Sequence, residues 1–166
     1  HYFNYDVNRN IQKIIDPIPN SSSISFCVVD PFKVKNLHFN TIVEISNNLR
    51  SDFLILIPTV MDIGRNEHNY SKEDSVYLDN FLGTVDWREQ WSNQNNKTGK
   101  NFWIFVTNYF ISRMNEIGYI HYAHEPVNKP GTKVTKYHLV FFSKNPLGKK
   151  FFVSSIKGTD NQQKLD

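Results

Sequence analysis

The chain has little cysteine, and its apolar runs are short. Its 166 residues contain one cysteine, Cys27, which excludes an intrachain disulfide and a cysteine-rich zinc site. The longest apolar runs fall far below the roughly 20 residues that a membrane-spanning helix needs. No charged-then-apolar signal segment follows His1. We therefore expect a cytoplasmic protein in a reducing environment, without a membrane partner.

Several catalytic motifs are also missing. The sequence has no Gly-x-Ser-x-Gly elbow of a serine hydrolase and no Gly-rich phosphate loop with a following lysine. His121 and His124 have the chemistry of metal ligands, but in a strand they face opposite sides of the sheet. No set of acidic residues with a nearby lysine is typical of a nuclease. We expect no metal.

The composition predicts one globular domain. Apolar residues make up 39% and aromatic residues 14% of the chain, which is enough to build a packed core. The formal net charge of +3 permits a polyanionic partner without requiring one.

Alternating short elements in the first third predict an α/β fold. Residues 2–5 resemble a strand, residues 7–15 carry apolar side chains at helical spacing, and residues 24–29 form an almost continuous apolar strand. A helix over 40–49 and a strand over 53–57 follow. This alternation is typical of a parallel sheet with crossover helices.

The rest of the chain predicts an insertion and an antiparallel ending. Residues 59–100 are polar and predict an insertion or cap outside the sheet, with short helices around Met61 and over 76–82 and a mobile loop over 92–100. A helix over 101–117 precedes strands at 119–125 and 136–143, which form a hairpin. A last helix covers 148–157, so that the domain spans 1–157 and residues 158–166 form a flexible tail.

Candidate functional residues follow the strands, because ligands of a doubly wound sheet bind beyond the carboxyl ends of its strands. In Asp30-Pro31-Phe32, the carboxylate can accept a hydrogen bond from an amine, and the two rings can form a wall for stacking. Ordinary turn and capping chemistry also explains these residues and is favoured from the residue types alone. Asp6 can likewise contact an adenosyl group or cap the helix that follows it, and the cap is favoured from the residues alone.

A basic region near the end of the chain admits two interpretations. Its lysines alternate with aromatic residues, which suits phosphate contacts and base stacking in a nucleic-acid complex. Lysines also flank strands in many proteins to protect sheet edges. The lysines concerned are Lys129, Lys133, Lys136, Lys144, Lys149 and Lys150.

Several segments, taken in order, resemble the three-Cys-motif partner family, TcmP. They are SFCVVDPFKVKNLHFNTIVEI, SDFLILIPTVMDIGRNEHNY, LDNFLGTVDWREQW, NEIGYIHYAHEP and KYHLVFFSKNPLGKKF. The resemblance covers residues 1–157. It implies the carboxy-terminal half of a Rossmann-like class I methyltransferase fold, S-adenosylmethionine as cofactor, an amine of nucleic acid or protein as substrate, and a three-Cys-motif protein as partner.

The resemblance also implies roles for particular residues. Asp6 and Val7 would lie near the adenosyl group, in the acidic turn of YDVNRNIQKI. Asp30-Pro31-Phe32 is similar to the motif with which amino-methylating enzymes hold a target amine.

Further substrate contacts are expected in the chain after this motif. Lys33 follows it directly, Arg65-Asn66 matches an Arg-Asn pair of the family, and Lys133 and Lys136 belong to the basic region.

Two departures from the family keep a non-catalytic alternative open. The family usually has glycine where this chain has Lys33. The first strand and its glycine-containing loop, which would hold the methionine part of the cofactor, are expected upstream of His1, so we expect cofactor binding only with that segment. The alternative is a methyltransferase-like module that binds or scaffolds a partner protein or nucleic acid.

Overall fold

The chain forms an α/β structure around a mixed four-stranded sheet. The computed structural model describes Asn4 and residues 6–19, 24–93, 99–132 and 135–162, so the strand predicted over 2–5 lies almost entirely outside the described residues. The helices are α1 (Val7–Ile15), α2 (Phe39–Asn48), α3 (Glu67–Tyr70), α4 (Tyr77–Leu82), α5 (Trp87–Ser92), α6 (Gly99–Glu116) and α7 (Pro146–Gln162). The strands are β1 (Ile24–Val29), β2 (Arg50–Ile57), β3 (His121–Asn128) and β4 (Thr135–Ser143).

The sheet has the strand order β1-β2-β4-β3. β1 and β2 pair in parallel through the crossover helix α2, whereas β4 runs antiparallel to both of its neighbours. The parallel pair and the final antiparallel hairpin confirm the α/β prediction at this level. Because β4 lies between β2 and β3, the hairpin joins the parallel part of the sheet through β4.

One face of the sheet carries the main core. Side chains on β2 alternate, and Phe53, Ile55 and Ile57 are completely buried against the helices, each contributing about 1.5–3 kcal/mol through the burial of apolar surface. The segment predicted as an insertion or cap contributes to this same core rather than to a separate one. Its buried side chains include Ile63, Tyr70, Leu78, Phe81, Leu82, Trp87 and Trp91.

The opposite face is only partly covered by the described residues. Phe152 of α7 stacks on Phe141 of β4, with 4.7 Å between the ring centroids. On β1, the side chains of Ile24, Phe26 and Val28 are each more than half exposed. The edge of the sheet at β1 therefore presents an open apolar surface.

Some boundaries differ from the sequence predictions. β2 begins at Arg50 rather than 53, because Ser51 already pairs with Ser25. α7 begins at Pro146, where Asn145 Oδ1 accepts a hydrogen bond from Leu147 N at 2.9 Å.

The ends of α6 and α7 also differ from the sequence predictions. α7 continues to Gln162, into the segment predicted as a tail. β3 begins at His121 rather than 119, because Gly118 adopts a positive φ of 94° and Tyr119 N still bonds to Met114 O at the end of α6.

Around Met61 the chain forms a π-helical turn, Thr59–Ile63, and α6 starts at Gly99. The loop predicted over 92–100 is wrong at both ends, because Ser92 ends α5 and Gly99 begins α6. Residues 94–98 of this predicted loop lie outside the described residues. No helix in the described part of the chain is both long and apolar enough to cross a membrane.

Candidate functional site

An apolar cavity of about 580 Å³ lies at the carboxyl end of β1, between this strand, α1 and α2. Val7 of α1 lines it on one side, and Asp30-Pro31-Phe32 lines it where the chain leaves β1. Pro31 is buried, whereas the Phe32 ring is 79% exposed. The structure thus brings together four of the residues that the sequence singled out.

The carboxylate of Asp30 makes no stabilising contact with the described residues around it. It has no hydrogen bond and no ion pair within the described ranges, and it caps no helix. The short 3-10 turn that follows, Val34–Asn36, is closed instead by Lys33 N, which donates to Asn36 Oδ1 at 3.2 Å. The capping explanation of Asp30 therefore has no support in the structure, and the side chain remains available to a ligand.

Asp6 behaves in the opposite way. Its Oδ1 accepts a hydrogen bond from Asn8 N at 3.0 Å at the start of α1, and Arg9 lies 3.6 Å from its other oxygen. Asp6 is the N-cap of α1 and is not among the residues that line the cavity. Its side chain serves the helix, which is what the residues alone favoured.

Asn8 joins α1 to the loop after β1, a role that the sequence analysis missed. Its Nδ2 donates to Asn36 O at 3.0 Å. Its Oδ1 accepts from His38 N and from Thr41 Oγ1, each at 2.9 Å. The amide thereby fixes one wall of the cavity, and no local sequence signal distinguishes it from the many other asparagines of the chain.

Asp62, in the turn after β2, also holds the loop that follows β1. This aspartate is only 3% exposed, and its Oδ2 accepts a hydrogen bond from Val34 N at 2.8 Å. Tyr70 OH lies 2.8 Å from Oδ1, and Asn66 Nδ2 donates to the same oxygen at 3.0 Å. Burial, together with the hydrogen bond and the negative charge of Asp62, raises the pKa of Tyr70 well above its usual value. The turn after β2 therefore holds the turn after β1 in place.

The predicted substrate contacts are dispersed. The amide of Asn66 is committed to Asp62, and Arg65 lines a separate cleft with Glu67. Lys33 Nζ lies 6.0 Å from the centroid of the Phe32 ring, so this lysine does adjoin the cavity. Lys136 lies on β4 and is not among the cavity residues.

Lys133, the remaining predicted contact, lies outside the described residues. Lys136 is the only member of that predicted pair whose position is described, and its carbonyl accepts a hydrogen bond from Thr59 Oγ1 at 3.4 Å.

The cavity lining suits one part of S-adenosylmethionine. Val7, Pro31 and Leu37 provide apolar walls against which a planar base could pack. No lysine or arginine in the described part of the chain lines the cavity to pair with the carboxylate of the methionine part. The described lining therefore offers walls for a planar base and does not complete a cofactor site.

Neither a reactive thiol nor a metal-ligand cluster is found at the cavity among the described residues. Cys27 also lines it, and burial raises the pKa of this thiol, so the sulfur is not a thiolate nucleophile at neutral pH. Over the described ranges, no three His, Cys, Asp or Glu side chains converge in a way that could hold a metal ion.

Comparison of the chain with family models, with curated proteins and with solved structures finds no match in any of the three. The resemblance to TcmP therefore rests on the sequence segments quoted above.

Proposed function

We propose that this chain is part of an S-adenosylmethionine-dependent methyltransferase of the three-Cys-motif partner type, acting on an amine of nucleic acid or protein. The observation that carries the proposal is the free carboxylate of Asp30 beside the exposed ring of Phe32, in the lining of an apolar cavity at the carboxyl end of β1. A parallel strand pair with a crossover helix and an antiparallel ending supports a Rossmann-like fold.

The residues of the cavity suit the handling of a planar amine. S-adenosylmethionine, when bound, supplies an electrophilic methyl group. The Asp30 carboxylate accepts a hydrogen bond from the N–H of the target, which orients the nitrogen lone pair, and Phe32 stacks on the planar group that carries the amine. Pro31 restricts the backbone between them. Correct positioning of the two reactants then supplies most of the rate.

The supporting contacts keep this arrangement rigid. Asp62 holds Val34 N, four residues after Asp30, and Asn8 holds Asn36 O. A functional group whose neighbours are fixed in this way loses little entropy on binding its ligand. The free carboxylate of Asp30 therefore lies on a loop that hydrogen bonds with Asp62 and Asn8 hold in place.

The test is transfer of a labelled methyl group by the full-length protein to nucleic-acid and protein acceptors. Asp30→Asn keeps the shape of the side chain and removes its charge, and we expect transfer to fall by about 100-fold. Asp16→Asn is the matched control, because this exposed residue ends α1 and bonds only to Gln12 within the described residues. Undiminished transfer by Asp30→Asn would exclude the proposed role.

A non-catalytic binding module is the second candidate. The exposed apolar side chains of Ile24, Phe26 and Val28 favour it, because contiguous apolar surface of this kind marks interaction sites. Calorimetric titration of S-adenosylmethionine into the full-length protein separates the two candidates. A saturable heat of binding argues against a pure scaffold, and the absence of any binding argues against the methyltransferase.

A further inference from the structure

A second pocket lies on the other side of the loop that carries Asp30 and Phe32. It has a volume of about 480 Å³ and is formed by this loop and by the connection between α3 and α4. Lys33 and Lys35 enter it from the loop, and Lys72 enters it from the connection. The two pockets are thus separated by a few residues of one loop.

The charge in this second pocket is unbalanced. Lys33, Lys35 and Lys72 face one carboxylate, that of Asp74. None of the three lysines has an ion-pair partner in the described part of the chain. Three ammonium groups around one concave surface attract an anion more strongly than isolated surface lysines do.

The wall of the pocket is held by buried side chains. Tyr70 is buried and fixed by its hydrogen bonds to Asp62. Ser75 is also more than nine-tenths buried, and its hydroxyl has no hydrogen-bond partner among the described residues. Its Oγ atom is closed to solvent, so Ser75 belongs to the wall of the pocket, and the groups that can meet a ligand are the lysines and the aromatic rings.

Exposed aromatic rings flank the lysines. Phe32 stands on one side of Lys33, with 6.0 Å between the ring centroid and Nζ. Tyr77 lines the pocket and is 44% exposed, with its ring packed edge-on against Tyr70. Lysines between exposed rings are typical of surfaces that bind single-stranded nucleic acid, where phosphates meet the charges and bases stack on the rings. An acidic peptide would use the lysines and leave the rings without a planar partner.

We propose that the lysines of this pocket bind backbone phosphates of single-stranded nucleic acid and that a neighbouring base stacks on Phe32. The placement of a base amine next to Asp30 rests on the proposed methyltransferase function, whereas the binding of the strand does not. The site is distinct from the basic region around the β3-β4 hairpin and α7.

The test is fluorescence anisotropy of a short, labelled, mixed-sequence single-stranded DNA with the full-length protein over a series of salt concentrations. Lys35→Gln combined with Lys72→Gln removes two phosphate contacts. We expect affinity at about 0.1 M salt to fall roughly 25-fold and the salt dependence of log affinity to become shallower by about 1.4. Lys13→Gln combined with Arg50→Gln makes the same charge change at two exposed positions outside both the pocket and the basic region and should change affinity less than about twofold.

Three results would overturn the site. They are parental affinity in the pocket variant, an equal loss in both double variants, and competition by a poly-glutamate peptide as effective as that by unlabelled DNA. If the protein binds DNA at the pocket but transfers no methyl group, the proposed function is refuted and the proposed binding site is not. Methyl transfer that persists while the pocket variant binds DNA normally would refute the site alone.

Discussion

The turns that follow the two parallel strands each contain an aspartate, and the two side chains have opposite surroundings. After β2, Asp62 is buried and accepts hydrogen bonds from Val34, Asn66 and Tyr70. After β1, Asp30 is exposed and has no partner in the described part of the chain. The comparison shows that position after a strand does not decide the role of an acidic residue. The buried aspartate builds the loop on which the exposed one is displayed.

The largest effect is expected for Asp62→Ala. The substitution leaves Val34 N, Tyr70 OH and one amide donor of Asn66 without their acceptor in a buried region. We expect the free energy of unfolding to fall by about 3–5 kcal/mol. Urea denaturation followed by tryptophan fluorescence measures this change.

The control for this variant is Asp74→Ala, an exposed aspartate of the second pocket. Its effect should stay within about 0.5 kcal/mol. A loss below about 1 kcal/mol for Asp62→Ala would mean that the hydrogen bonds to Asp62 do not hold the turn.

A smaller effect is expected for Tyr70→Phe, which removes the hydroxyl and keeps the ring in the core. We expect a loss of about 1–2 kcal/mol at neutral pH. Because the pKa of Tyr70 is raised in the folded protein, its hydroxyl stabilises the fold fully below the unfolded pKa of about 10, and this stability declines as pH rises through the folded pKa.

The difference in stability between the parent and Tyr70→Phe should therefore narrow in alkaline solution. Denaturation curves at neutral pH and above about pH 10 measure it, with Tyr77→Phe as the control for a half-exposed neighbour. Identical alkaline slopes in the parent and in Tyr70→Phe would contradict the raised pKa.

Local patterns predicted much of the fold, and long-range contacts explain what they missed. The apolar spacing of α1, β1, α2 and β2 is visible in the sequence, as is the final hairpin. The hydrogen bonds from Val34 to Asp62 and from Asn8 to Asn36 each span 28 residues, so no local window contains both partners. The sequence also does not predict that β4 pairs with β2. The two strands of a hairpin pair with each other in the same way whichever strand of the sheet they join.

The same limit applies to the candidate site. The turn after β1 was found because strand ends are where ligands bind. Whether its carboxylate was a cap or a free group depended on the backbone geometry of the next six residues, where Lys33 N and Asn36 close the 3-10 turn without Asp30. Asn66 was predicted as a substrate contact, yet its amide serves Asp62.

One paired measurement of unfolding free energy distinguishes Asp62, which stabilises the fold, from Asp30, which does not. Asp30→Asn and Asp62→Asn make the same chemical change in the two turns. We predict that Asp30→Asn stays within about 0.5 kcal/mol of the parent, whereas Asp62→Asn loses about 2 kcal/mol or more because an amide replaces an acceptor of three donors. Comparable losses in both variants would show that Asp30 is also a structural residue, and would contradict the account.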